Sequence, residues 1–276
     1  MAGQFEITSM ALFCDFENIA LGVRDAKYAH FDIRRVLERL LLKGSIVVKK
    51  AYCDWDRYKD FKAPMHEAAF ELIEIPHVRQ SGKNSADIRM VVDALDLCYT
   101  KSHVDCFVII SGDSDFSPLV SKLRENNKYV IGIGVKDSTS DLLAANCDEF
   151  IFYDDLVREQ KPKRKPAEKK APAKKNTNGS TKAPAPKTEE DKRQDALDFA
   201  VGTVEALIAE RGEDEKIWGS MVKQTMKRRR PGFNESAYGY RSFKELMEDA
   251  QKHGLLQIVR DEKTGQYTVR LAAGEE

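Results

Sequence analysis

One stretch constrains the chain most: Val108-Ile109-Ile110-Ser111-Gly112-Asp113-Ser114-Asp115-Phe116-Ser117. The apolar run Phe107 to Ile110 stops at Ser111-Gly112, two carboxylates follow, and helical spacing starts near Ser114 and runs through Leu119, Val120 and Leu123. An uninterrupted apolar run closed by turn residues and followed at once by helical spacing predicts a buried parallel strand, a tight turn and a helix. In open α/β sheets ligands bind beyond the carboxyl ends of the strands, so Asp113 and Asp115 stand where a site is expected.

The same pattern recurs upstream and downstream. Ala11 to Asp15 is a short apolar run ending in an acid, with Phe16-Glu17-Asn18 after it. Ile33, Val36, Leu37, Leu40 and Leu41 mark a helix closed at Gly44. Strands are expected at Ser45 to Asp54, at Leu72 to Val78 across Pro76, at His103 to Ile110, at Tyr129 to Val135 and at Glu149 to Tyr153. Between them, helices are expected over Arg57 to Phe70 around Pro64, from about Ala86 with a buried stripe of Ile88, Val91, Val92, Leu95 and Tyr99, and over Leu142 to Ala145. Arg79 to Ser85 reads as a polar loop whose Asn84 or Ser85 caps the following helix. This alternation implies an α/β fold with a mainly parallel sheet and helices on both faces.

The chemistry lies in the acids. Asp15 and Asp113 each end a strand, and Asp87 opens a helix. Clustered carboxylates raise one another's pKa unless a cation compensates them. All-oxygen donors suit Mg²⁺ or Mn²⁺, ions that activate water and stabilise a leaving oxygen in phosphodiester cleavage. Asn18 is then a candidate for positioning a ligand or phosphate, and Lys83 for meeting the scissile phosphate. Ser111 and Ser114 are candidates for orienting carboxylates. Taken singly, Asp87 and Asp115 serve as well as partners of a helix dipole, and Asp93 and Asp96 read as a solvated face. Taken together, the three acids favour a metal site.

Other functions are excluded or left without support. No apolar run approaches the roughly 18–20 residues of a membrane span, and residues 1–10 show no secretion signal. The five cysteines are scattered and the five histidines lack paired spacing, which disfavours a disulfide framework or zinc site and fits a reducing, cytoplasmic setting. The zero net charge averages three different parts. Residues 1–156 carry 19 Lys/Arg against 25 Asp/Glu, residues 157–190 carry 11 against 4, and residues 191–276 carry 15 against 16. The middle part, rich in Lys, Pro and Ala, is expected to be a disordered tether. Its charge suits either phosphate contacts or simple solubility.

From Ala196 a compact pattern resumes. Ala200, Val201, Val204, Leu207 and Ile208 form one helix face. Met221 to Met226 follow Ile217-Trp218-Gly219-Ser220, and Ser242 to His253 is a further helix. Leu255 to Val259 and Gln266 to Leu271 pair as strands around Lys263-Thr264-Gly265. Three helices and a terminal hairpin describe a winged helix-turn-helix. Lys227, Arg228, Arg229 and Arg230 form a basic cluster for phosphates, extended by Lys223, Arg241 and Lys244. Tyr238 and Tyr240 are open to base stacking or core roles, whereas Phe243 reads as core.

Two resemblances follow. Asp15-x-x-Asn18, Lys83-x-x-x-Asp87 with Asp93 beyond it, and Ser111-Gly112-Asp113-Ser114-Asp115-Phe116 resemble the NYN domain, over about residues 9–156. This PIN-like nuclease family includes the LabA-like (DUF88) proteins. The resemblance implies a PIN-like fold and metal-dependent ribonuclease activity, with Asp15, Asp87 and Asp113 on the metal and Asp115 and Asn18 in support. Asp137 or Asp141 would supply a further carboxylate. Gly219 to Thr225, Pro231 to Glu235 and Tyr238 to Phe243 resemble the OST-HTH/LOTUS domain, over about residues 196–271. That resemblance implies RNA binding or a protein partner. The expectation is therefore a Mg²⁺- or Mn²⁺-dependent ribonuclease with an RNA-binding module. A non-catalytic RNA-binding regulator and a protein-interaction scaffold are the alternatives.

Overall fold

A computed structural model describes residues 7–75, 85–158, 188–212, 215–260 and 266–272. The chain divides into two compact units, Met1–Lys161 and Pro162–Glu276.

The first unit is built on six parallel strands: β1 (Ser9–Asp15), β2 (Ser45–Cys53), β3 (Glu71–Glu74), β4 (Cys106–Ile110), β5 (Tyr129–Gly134) and β6 (Glu149–Phe152). Their order is β3-β2-β1-β4-β5-β6. The chain leaves β1 toward one edge, returns after β3, and proceeds from β4 toward the other edge. β1 and β4 therefore flank the point where the winding reverses, which is the ligand-binding crevice of doubly wound sheets.

Alternation along the central strands produces two cores. Met10, Leu12 and Cys14 of β1 and Cys106, Val108 and Ile110 of β4 face one side. That side is covered by α1 (Phe16–Asp25), α2 (Ile33–Lys43), α3 (Lys59–Glu67) and α7 (Tyr153–Arg158). Ala11, Phe13, Phe107 and Ile109 face the other side, under α4 (Ser85–Thr100), α5 (Ser117–Glu125) and α6 (Asp141–Asn146). With apolar side chains on both faces, β1 and β4 read as continuous hydrophobic runs, as buried parallel strands do.

Several expectations need correction. The buried face of α4 is Met90, Ala94 and Cys98. Ile88, Val92 and Tyr99 of the expected stripe are 62%, 55% and 64% exposed, while Val91 and Leu95 are only partly buried. Ala94 and Cys98 are small enough to let α4 approach a sheet face already filled by Phe13 and Phe107. α1 and α7 were not anticipated. β6 ends at Phe152, and Tyr153 starts α7. Val157 and Arg158 thus belong to a helix rather than to the tether. Pro76 to Val78 of the expected third strand, the Asn84 cap and residues 159–187 of the tether lie outside the described residues.

The second unit holds α8 (Glu189–Arg211), α9 (Gly219–Arg229) and α10 (Phe243–Lys252). Beside them lies an antiparallel sheet β7-β9-β8, formed by β7 (Ile217–Trp218), β8 (Leu256–Arg260) and β9 (Tyr267–Leu271). α8 starts seven residues before the expected Ala196 because Thr188 and Asp191 form a reciprocal capping box. Its buried face is Ala196, Leu197, Ala200, Thr203, Val204 and Leu207. Val201 and Ile208 only pack at the margin. Gly254 follows α10 at φ 65°, a left-handed position that glycine takes without strain. The expected turn at Lys263-Thr264-Gly265 lies outside the described residues.

Candidate active site

The site is assembled where β1 and β4 end side by side, with Cys14 in register with Ile110. Asp15 is the last residue of β1 and the N-cap of α1; its Oδ1 accepts the Asn18 N–H at 3.3 Å. The buried Ser111 hydroxyl donates to Asp15 Oδ2 at 3.0 Å and accepts the Asp113 N–H at 3.2 Å. Asp113 Oδ1 in turn accepts the Asp115 N–H at 2.9 Å, capping a 3-10 turn over Ser114–Phe116. The Asn18 side-chain carbonyl accepts the Gly112 N–H at 2.9 Å. One serine and one asparagine thus join the two strand ends and fix where both acids point.

Gly112 is required by space. A Cβ there would lie 2.5 Å from the Ser138 carbonyl oxygen, and the Gly112 carbonyl accepts the Ser140 N–H at 2.9 Å. The 136–140 loop that presses on it is itself tethered. Buried Asp154 accepts the Lys136 N–H at 2.8 Å and the Tyr28 hydroxyl at 2.9 Å. Nothing in the sequence singles out Asp154, because two adjacent acids after a strand carry no motif.

Asp87, in the first turn of α4 on the other layer, acts on Asp15 through its charge. The Asp15 pKa is raised from 3.8 to about 7 by burial, then by the charge of Asp87 and more weakly by that of Asp113, against the opposing hydrogen bonds from Asn18 and Ser111. Burial, and then the charges of Asp113, Asp115 and Glu17, raise Asp87 to about 6. The five carboxylates share one field, and no cationic side chain is among the described groups that shift Asp15 or Asp87. The donor set is all hard oxygen, and an ionised carboxylate offers about four lone-pair directions, so acceptor capacity remains on these acids. This chemistry fits a divalent cation. As they stand, no three acid, histidine or cysteine side chains among the described residues are closed into a coordination shell.

The crevice also excludes a plain phosphate site. Its helix N-terminus is occupied by Asp15, which repels a phosphate unless a cation lies between them.

The NYN domain family model matches residues 9–154. The chain belongs to the NYN domain family. Members of this family are typically nucleases. Among curated proteins, this NYN chain is 24% identical over 160 residues to Meiosis regulator and mRNA stability factor 1 of Xenopus tropicalis, covering 58% of this chain and 9% of that protein. It is 28% identical over 142 residues to Uncharacterized protein MJ0482 of Methanocaldococcus jannaschii, covering 50% of this chain and 56% of that one. The chain therefore spans 9% and 56% of the lengths of these two curated relatives. A crystal structure of a protein of unknown function, VPA0982 from Vibrio parahaemolyticus, matches with a TM-score of 0.48 and 26% identity, over 56% of this chain and 98% of that one.

Other acids of the NYN domain stand elsewhere. Asp93 is not on a solvated face; its side chain is 11% exposed. It accepts the Tyr52 hydroxyl at 2.9 Å, Lys50 Nζ at 3.2 Å and Arg89 Nε at 3.0 Å. Burial alone would raise its pKa, but the hydrogen bonds from Tyr52 and Lys50 and the Lys50 and Arg89 charges hold it below the usual range. Asp93 thus ties α4 to β2, which places Asp87. Asp137 acts on Tyr28 and Asp141 opens α6, and neither is among the groups that shift Asp15 or Asp87. Asp115 and Glu17 take that place, with Glu17 paired to Arg57 at 3.1 Å. Lys83 lies outside the described residues.

In the second unit the basic cluster splits. Lys227, Arg230 and Arg241 are exposed, with Arg230 4.1 Å above the Phe199 ring. Arg228 and Arg229 are partly buried, donating to Thr225 Oγ1 at 3.0 Å and Thr203 Oγ1 at 3.2 Å. Lys223 pairs with Glu235 at 3.4 Å. Tyr240 and Phe243 are core; the Tyr240 hydroxyl donates to Asp249 at 2.7 Å. Tyr238 stacks on Phe233 at 5.0 Å.

Proposed function

We propose that the chain is a metal-dependent ribonuclease that hydrolyses RNA phosphodiester bonds, with Asp15, Asp87 and Asp113 holding Mg²⁺ or Mn²⁺. The observation that carries this reading is the crowding of like charge at the sheet's switch point: Asp87 acts on buried Asp15, and Asp113, Asp115 and Glu17 act on half-buried Asp87, with no side-chain cation among the described groups acting on either. NYN nucleases usually use divalent metals. RNA as substrate is supported by the relative named for mRNA stability. When bound, the ion supplies an activated water and stabilises the leaving oxygen. The protein's own part is positioning. Ser111 holds Asp15 and Asp113 in one frame. Asn18 and the 136–140 loop brace the Gly112 turn, and Asp93 sets the approach of α4. Asp115 and Glu17 add negative potential at the rim, where Asp115 faces solvent.

In this reading the second unit is a winged helix-turn-helix of the OST-HTH/LOTUS kind that recruits RNA. An acidic catalytic face repels RNA by itself, so a separate cationic surface on Lys227, Arg230 and Arg241 supplies the initial affinity. The test is cleavage of single-stranded RNA by the full chain in Mg²⁺, Mn²⁺ and EDTA, beside Asp113→Asn and Asp15→Asn. The wild type cuts with either ion and stops in EDTA, and both variants lose at least about a hundredfold in rate. Intact RNA in every metal, or variants that cut like wild type, would refute it.

A further inference from the structure

An open groove of about 660 Å³ runs beside the acids, lined by Ser114, Asp115, Ser117, Pro118, Ser121 and Leu142. Ser114, Ser117 and Ser121 lie three and four residues apart along the 3-10 turn and α5, so they share one side of that run. The Ser121 hydroxyl donates to the Ser117 carbonyl at 3.1 Å, which leaves its oxygen open as an acceptor. Ser117 is 6% exposed, and its hydroxyl has no hydrogen-bond partner among the described residues. That hydroxyl is closed off from the groove, so the groove offers a ligand the hydroxyls of Ser114 and Ser121. The lining also has an apolar part: Leu142 is 59% exposed and Pro118 also faces solvent. The described lining residues carry no cation, and their one charge is Asp115, which also acts on Asp87.

We infer that this groove is a subsite for one nucleoside of the RNA strand next to the scissile phosphate. The inference rests on the ribonuclease reading and names where the strand lies. A hydroxyl-lined, cation-free groove suits the neutral part of a nucleotide and not its phosphate. The serines match a ribose, whose 2′-hydroxyl both donates and accepts, and Leu142 and Pro118 offer an apolar surface to the base. Asp115 in the groove's lining keeps the strand's phosphates toward the metal side.

The experiment is photo-crosslinking of the full chain in EDTA with a short single-stranded oligoribonucleotide containing one 4-thiouridine, the labelled peptides being mapped by mass spectrometry. Label is expected within residues 114–121 or on the segment containing Leu142. Leu142→Glu changes an exposed side chain and leaves the core untouched; it and Ser121→Ala each lower that label at least fivefold. The 2′-deoxy probe labels the same peptides several-fold less. Label confined to other parts of the chain, label undiminished by Leu142→Glu, or equal labelling by the deoxy probe would overturn the subsite. Because no cleavage is needed, the metal-dependent cleavage assay on the same preparation reports separately on the ribonuclease reading.

Discussion

Asp15 is the residue on which the most physical effects converge. It ends a strand, caps a helix, accepts a serine hydroxyl and sits beside like charges. Its folded-state pKa of about 7 lies above the ordinary 3.8, so the folded chain retains a proton that the unfolded chain has released. The stability linked to that proton is fully present below about pH 4 and is lost as pH rises toward and through 7. In EDTA the first unit should therefore lose on the order of 2–4 kcal/mol from this residue between pH 4 and 8. Asparagine keeps a capping oxygen but no charge. The melting temperature of Asp15→Asn relative to wild type is thus expected to climb between pH 5 and 8 in EDTA, and calorimetry or thermal shift reads it; a pH-independent difference would contradict the shift. Gly112 makes a different prediction. Gly112→Ala drives a Cβ against the Ser138 carbonyl, displacing the turn that carries Asp113. Cleavage should fall about 10–100-fold, while unfolding moves by about 1–3 kcal/mol.

At the scale of elements, β1 and β4 were the most legible, because strands buried on both faces read as unbroken apolar runs; β1 ends in Asp15, and β4 stops at Ile110, three residues short of Asp113. Their adjacency was not legible, since strand order depends on which crossovers reverse the winding. α1 was overlooked although Asp15 caps it and Ile19 and Val23 repeat at helical spacing. The Asp-Phe-Glu-Asn run was read as a motif rather than as a first turn. On α4 the more hydrophobic side chains were assigned to the core. The sheet beneath instead takes Met90, Ala94 and Cys98, and leaves Ile88, Val92 and Tyr99 in solvent. Asp93 was misread for a related reason: its partners Lys50 and Tyr52 lie on β2, about forty residues away. That anchor predicts that Asp93→Ala, which leaves Lys50 and Tyr52 without their acceptor, destabilises the first unit by about 1–3 kcal/mol. It should also slow cleavage by shifting Asp87, whereas Asp96→Ala, on the exposed side of the same helix, leaves both unchanged. Denaturant unfolding and initial rates measure the two effects.

At the scale of the whole molecule, the proposed function assigns cutting to an acidic NYN unit and holding to a second unit with separate solvent-facing cations. Residue type alone suggested seven basic contacts. The structure leaves Lys227, Arg230 and Arg241 open to solvent, ties Arg228, Arg229 and Lys223 to neighbours, and pairs exposed Lys244 with Glu248 at 3.4 Å. If three phosphates are held, the logarithm of RNA affinity should fall with the logarithm of salt concentration at a slope near −2. The triple alanine variant of those three residues should remove most of that slope without changing the cleavage rate at saturating RNA. A variant that binds with the wild-type slope would place the RNA surface elsewhere. The central claim is that Asp15, Asp87 and Asp113 hold one divalent centre. Titration of Mn²⁺ into the full chain at pH 8, followed by calorimetry, tests it most directly. Saturable binding to the wild type, weakened at least about tenfold by Asp15→Asn, Asp87→Asn and Asp113→Asn alike, is the predicted result; no binding, or binding that survives all three substitutions unchanged, would contradict it.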